Sequence, residues 1–184
     1  MNYNSMTFTG SVISEPVEKD KHLFFNVLNK HSTGHEMNFT VIVRDAKDFA
    51  VKKGATVEIL NAGFFVKGNQ LNLVTDMSNI KELKAQERHE SKLTIEGIVE
   101  SDPTEKGKGY MFDFVSERGE KYRMDFIVIV KDDLMASDIY KKDKVILINA
   151  DFCMNKGKLY LEVNPSFSHM AVIRKRCNMG IEHI

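Results

Sequence analysis

Gly10-Ser11-Val12-Ile13-Ser14-Glu15-Pro16 decides how this chain is read, because the same pattern returns as Gly97-Ile98-Val99-Glu100-Ser101-Asp102-Pro103. Both stretches follow Gly-x-Val-x-Ser-acid-Pro, and each lies in an alternating apolar segment. Laying residues 7–45 on 94–132, a constant shift of 87 with no gap, gives 15 identities in 39 positions. Chance would give roughly two or three, so the chain reads as an internal duplication, which must be recognised before any fold is assigned. The spacing exceeds that of short solenoid repeats, so each copy is long enough to hold a small core of its own. The division expected is a first domain over 1–77, a charged linker over 78–92, a second domain over 93–165 and a C-terminal tail over 166–184.

Composition narrows the class. The 184 residues are 42% hydrophobic and 28% charged, an ordinary globular balance that argues against disorder or a fibrous protein. Formal net charge is zero. It is zero in each half too, with 11 basic and 11 acidic residues through Glu90 and 15 of each from Ser91. A strong nonspecific polyanion binder is disfavoured by that balance, whereas a locally basic groove is compatible with it. No apolar run reaches membrane-spanning length and the opening residues lack a signal pattern, so a cytoplasmic protein without membrane contact is expected. Cys153 and Cys177 imply no disulfide framework and are expected as thiols.

The order of elements follows from periodicity. Thr7–Ile13 is rich in β-branched residues and stops at Pro16. Leu23, Phe25 and Val27 alternate with Phe24, Asn26 and Leu28, and Met37, Phe39, Val41 and Val43 with Asn38, Thr40 and Ile42, which predicts two half-buried strands. Residues 45–53 change period: Asp45 as N-cap and Gly54 as stop predict a short helix. Strands return over 56–65 and 70–75. The second copy repeats the series over 93–99, 110–114, 124–130, a helix from Asp132 to about Tyr140, 145–152 and 159–163. Three strands, a short helix and two strands is the order of the OB fold, a five-stranded Greek-key barrel. The fold class expected is all-β with short helices, as two tandem OB barrels. Gly10 is expected where the first strand bends and is closely approached.

Catalytic signatures are missing from the sequence. It has no His-Glu-x-x-His, no zinc-spaced Cys/His set and no P-loop, since Lys106-Gly107-Lys108-Gly109 lacks the spacing. The expectation is a non-enzyme with no cofactor and no metal. Binding of single strands needs aromatic faces for bases and basic groups along a backbone track. Phe24, Phe65 and Tyr160 fall on the outward phase of their strands and are the candidate stacking residues. Lys21, Lys30, Arg44 and Lys67 in the first copy, and Lys108, Arg118, Arg123, Lys131, Lys156 and Lys158 in the second, are the candidate phosphate contacts. Against this stands a plain alternative: single exposed aromatics are ordinary, and strand-edge lysines also block edge pairing. Phe8, Phe39, Met37 and Met124 are assigned to the core.

The Gly-x-Val-x-x-acid-Pro stretches, Phe39-Thr40-Val41-Ile42-Val43, and Lys53-Gly54-Ala55-Thr56-Val57 resemble the first, third and fourth strand regions of the single-stranded DNA-binding protein (SSB) family. The resemblance covers roughly 6–76 and 93–164 and implies a tandem OB chain of phage or mobile-element type, acting in DNA replication and recombination. It implies single-stranded DNA as partner, with a homodimer and replication proteins as further candidates. The chain departs from the family in having no tryptophan and in ending on Gly180-Ile181-Glu182-His183-Ile184 after basic residues, where the family ends acidic. Two other readings remain open: a single-stranded RNA binder, and a protein-interaction module for a replication, defence or secretion partner.

Overall fold

A computed structural model describes residues 4–32, 34–46, 51–85, 89–118, 122–131 and 139–173. Within them the first half runs β1 (Asn4–Val12), β2 (Val17–Lys19), β3 (His22–Lys30), β4 (Glu36–Arg44), β5 (Thr56–Lys67), β6 (Gln70–Asp76), a 3-10 turn at Met77–Asn79 and β7 (Ile80–Leu83). The second half runs β8 (Ser91–Val99), β9 (Thr104–Lys106), β10 (Gly109–Arg118), β11 (Tyr122–Val130), β12 (Lys144–Asn155), β13 (Lys158–Val163) and β14 (His169–Val172). The alternation read from the sequence sets these strands. Leu23, Phe25 and Val27 on β3, and Met37, Phe39, Val41 and Val43 on β4, are all buried, and their neighbours face out.

β1 pairs antiparallel with β3 and β5, β3 with β4, and β5 with β6, while β4 closes the ring by running parallel to β6. This is the five-stranded barrel of OB type that the element order predicts. β8, β10, β11, β13 and β12 make the same five pairings, including a parallel closure of β11 on β13. Gly10 and Gly97 sit where each first strand passes from one neighbour to the next. A Cβ at Gly10 would lie 2.5 Å from Val27 Cγ1, and one at Gly97 would lie 2.5 Å from Phe114 Cζ and closer still to the Val115 carbonyl oxygen. Only glycine permits that approach.

The two barrels are fused. β1 pairs antiparallel with β8 along Asn4↔Ile95 to Phe8↔Ser91, so one continuous sheet runs through both. Met6 stands opposite Leu93, its own counterpart under the 87-residue shift. The pairing is therefore pseudo-symmetric about that point, like the isologous contact of a twofold dimer. The cores merge as well: the Phe152 ring of β12 packs edge-on to Phe64 at 5.1 Å and to Phe39 at 6.3 Å.

Several elements differ from expectation. β2 and β9 are short strands that hairpin onto β3 and β10, a pairing the sequence leaves unread because three residues show no periodicity. Residues 80–83, within the segment read as a charged linker, form β7 on the edge of β5. Further along, His89 and Lys30 exchange backbone hydrogen bonds with one another's side chain and carbonyl, and Asn29 Nδ2 donates to both Thr9 O and Glu90 O. That polar seam ties the connection to the barrel. Asp45 has φ 46°, a left-handed turn where an N-cap would be extended. The helices placed over 45–53 and from Asp132 to Tyr140 otherwise fall largely on 47–50 and 132–138, which lie outside the described residues. So do Arg174–Arg176 and Cys177. The described part of the tail docks as β14 on β12, with Met170 and Val172 against the core.

Candidate nucleic-acid interface

The register of β3, β4, β6 and β5 builds a solvent-facing surface on the first barrel. Strand alternation sends every second residue outward, so paired outward residues line up in rows across the sheet. One row is Phe24, Ile42, Val74 and Gly63, and the next is Asn26, Thr40, Asn72 and Phe65; beyond them Leu28 pairs with Asn38, and Gln70 with Lys67. Phe24 and Phe65 thus lie in adjacent rows at opposite sides of one face, and both are half-buried. Between them lie the aliphatic side chains of Ile42 and Val74, the amide of Asn26 and the hydroxyl of Thr40, with Asn72 buried beneath. Thr40 Oγ1 donates to Asn26 Oδ1 at 3.1 Å and accepts from Gln70 Nε2.

Cations border this face. Asp20 and Lys21, at φ 53° and 66°, form the two-residue turn joining β2 to β3, which projects Lys21 beside the Phe24 end. Lys30 ends β3 and Lys67 ends β5, both exposed. Among the described residues none of these three lysines forms an ion pair. Arg44 is held instead: its Nε and Nη2 donate to the two Asp76 carboxylate oxygens at 3.0 and 2.9 Å.

The second barrel places Tyr160 in the row Asp113, Ile127, Tyr160 and Cys153, one strand over from the position Phe65 holds in the first. Burial pushes the Cys153 thiol up to about 11, helped by Asp151 and Glu162, which disfavours the thiolate. Lys158 and Arg123 border a shallow depression beside Phe126 and Leu159, but Glu100, Asp113 and Asp125 line it too. Arg123 is fenced by carboxylates: Asp125 at 3.0 Å, Glu117 at 3.5 Å and Glu100 at 3.9 Å. The Asp125 hydrogen bond, then these charges, raise its pKa further. Lys131 is paired with Glu162 at 2.5 Å. Lys108 and Lys156 project from the β9–β10 and β12–β13 turns, and Arg118 ends β10 opposite Tyr122. The candidates of the second copy are therefore spread over several edges, and two of its cations are neutralised locally.

One residue escaped the sequence reading. Tyr122 is in phase with core residues Met124 and Phe126, so alternation assigns it inward; it lies at the very start of β11, beyond the barrel, and is 49% exposed. Its ring meets Phe65 of the first barrel edge-on at 6.2 Å. The two rings border a groove of about 440 Å³ between the barrels.

The polar seam, lined by residues distinct from those of the groove, holds two groups with shifted pKa values. His31 Nε2 and Lys92 Nζ lie 2.9 and 3.5 Å from the Asp151 carboxylate, and His89 Nδ1 accepts the Lys30 N–H at 2.9 Å. Burial, then the Lys30 charge, lowers the pKa of His89 below its usual value. Burial alone would raise Asp151, but the His31 hydrogen bond and the Lys92 charge outweigh it and hold the group below the usual carboxylate value. A histidine with a depressed folded pKa binds its proton more readily when unfolded, so its contribution is intact above pH 6.5 and is lost as pH falls from 6.5 toward the folded value. Asp151 acts only below pH 3.8. Melting temperature is therefore expected to fall between pH 7 and 5, at no more than about 1.4 kcal/mol per pH unit for one proton. Melting the His89→Gln variant over the same range is the check: a slope equal to that of the parent would assign the effect elsewhere.

No protein-family model matches the chain, and no curated protein matches it. Among solved structures, a deletion mutant of the single-stranded DNA-binding protein from Thermus aquaticus aligns over 96% of this chain and 97% of its own, at TM-score 0.57 and 13% identity. What the two proteins share is their fold. Fission yeast Pot1 with single-stranded DNA aligns at TM-score 0.39 and 9% identity, covering 97% of this chain and 86% of its own. The HINb domain of p204 aligns at TM-score 0.38 and 15% identity, covering 94% and 100%. No helix among the described residues is long and apolar enough to cross a membrane.

Proposed function

We propose that this chain is a non-enzymatic protein that binds single-stranded DNA, built as two tandem OB barrels over 1–77 and 93–165 from an internal duplication. The observation that carries the reading is the outward face of the first barrel. Two aromatic rings flank an uncharged floor of aliphatic, amide and hydroxyl side chains, and the lysines that border it make no ion pair among the described residues. Base stacking is tolerant of sequence because every base offers a π-face, and unpaired lysines can neutralise phosphates. The pseudo-symmetric β1–β8 pairing supports the duplication, since it turns what would be a contact between two copies into one within a chain.

In this reading Phe24 and Phe65 stack bases, Lys21, Lys30 and Lys67 hold phosphates, and Tyr160 with Lys108, Lys156 and Lys158 extends the track onto the second barrel. The first barrel leads, because carboxylates surround Arg123 and pair with Lys131 in the second. Labelled oligo-dT should show an anisotropy increase at low salt and micromolar protein. The log–log salt slope should be about −0.7 per phosphate contact, and Phe24→Ala should cost about 1–3 kcal/mol of binding. Absence of binding under those conditions sinks the proposal. Competition by a matched RNA oligomer as strong as DNA would reassign the ligand to single strands of either kind.

A further inference from the structure

We infer that the groove between the barrels is a pocket for one unstacked nucleobase, which couples the two barrels on a single strand; this rests on the DNA-binding reading above. The groove, about 440 Å³, is of a size that holds a small ligand. It joins the outward face of the first barrel directly, since Gly63, Phe65 and Val74 belong to both. Its other wall comes from the second barrel through Tyr122 and Met124. A strand leaving the rows of Phe24 and Phe65 for the second barrel would therefore pass it.

The lining chemistry suits a base and not a phosphate. Asn4, Asn61 and Asn79 offer amide donors and acceptors without charge. The cation present, Arg44, is already closed on Asp76 in a two-bond pair, so the rim is electrically neutral. Phe65 and Tyr122 meet at an interplanar angle of 66°, and an edge-on pair leaves ring faces uncovered for a third π-system. A second observation points the same way. Asn4 is 8% exposed, lines the groove, and its Oδ1 has no hydrogen-bond partner among the described residues. A buried acceptor without a donor is costly, and the N–H edge of a base would supply one. Asn61, at φ 51°, sits in the stretch of β5 where the pairing with β1 slips register, which turns its side chain out of the ladder.

The test is binding of a 30-nucleotide oligo-dT by the full chain, its Tyr122→Leu variant and its Tyr122→Phe variant, each titrated across salt. Tyr122 is half-exposed, so neither substitution empties a core position. Tyr122→Leu is expected to bind about tenfold more weakly with an unchanged salt slope, because the lost contact is to a base, and Tyr122→Phe to bind as the parent does. Unchanged affinity in Tyr122→Leu would overturn this inference while leaving the DNA-binding reading in place. A loss with a shallower salt slope would also overturn it, by making the groove a phosphate site. Failure of the parent to bind the oligomer overturns both.

Discussion

Gly97→Ala is expected to unfold the protein or leave it barely stable. The new methyl group would stand 2.5 and 2.9 Å from two atoms of the Phe114 ring and in direct collision with the Val115 carbonyl oxygen. A ring can turn, but a carbonyl in a strand pairing cannot move without taking its ladder with it. Overpacking typically costs about 1–3 kcal/mol, and a clash against backbone falls at or above the top of that range. Gly10→Ala should be milder, since its closest contact is the Val27 Cγ1 methyl, with the Leu28 carbonyl at 2.9 Å. Gly63→Ala is the control, because its Cβ would meet only the Val74 carbonyl, at an ordinary 3.6 Å. Urea unfolding of the three variants should rank them in that order. Equal midpoints for Gly97→Ala and Gly63→Ala would refute the account.

The second large effect is expected at Phe152. Its side chain is fully buried, and it touches Phe39 and Phe64 of the other barrel while belonging to the core of its own. Truncation to alanine removes a large ring from a place where the two barrels meet, and Phe→Ala in such a site costs about 3–5 kcal/mol. The location adds a signature that size alone does not. If the cores are one, Phe152→Ala lowers the unfolding midpoint of both halves together, and the parent unfolds in a single transition. Tryptophans placed one per half, at exposed positions, would report the two separately. Two transitions in the parent, only the later residues shifting in the variant, would mean two independent cores.

Much of the fold was legible because its strands bury one face. Leu23, Phe25, Val27 and their counterparts in the second copy announce period two, and the repeated glycine marks the bend of each first strand. What could not be read was anything depending on how the two halves meet. β1 and β8 look like ordinary barrel strands, and nothing in either says that their leading halves pair with each other. Asn29 and His31 continue the inward phase of β3, where polar residues would be dismissed as a fraying strand end; they are buried because the 89–91 segment crosses over them. At the site, outward phase correctly placed Phe24, Phe65 and Tyr160 off the core, yet phase misplaced Tyr122, whose exposure comes from its position at a strand end. The partners of Arg44, Arg123 and Lys131 were also hidden. Arg44 and Asp76 are 32 positions apart and meet only because β4 and β6 run parallel.

The β1–β8 pairing has a consequence in time. During synthesis the first barrel can close as soon as Asp76 is available, but Asn4 to Phe8 then present an open β-edge flanked on its other side by β5. That edge finds its mate only after Ile95 has left the ribosome. In the interval it is a template for any passing strand, including the same segment of a neighbouring nascent chain, with which it would make the same symmetric contact. Covalent linkage of the two halves settles that competition: the right partner arrives at high local concentration, about twenty residues behind the finished barrel.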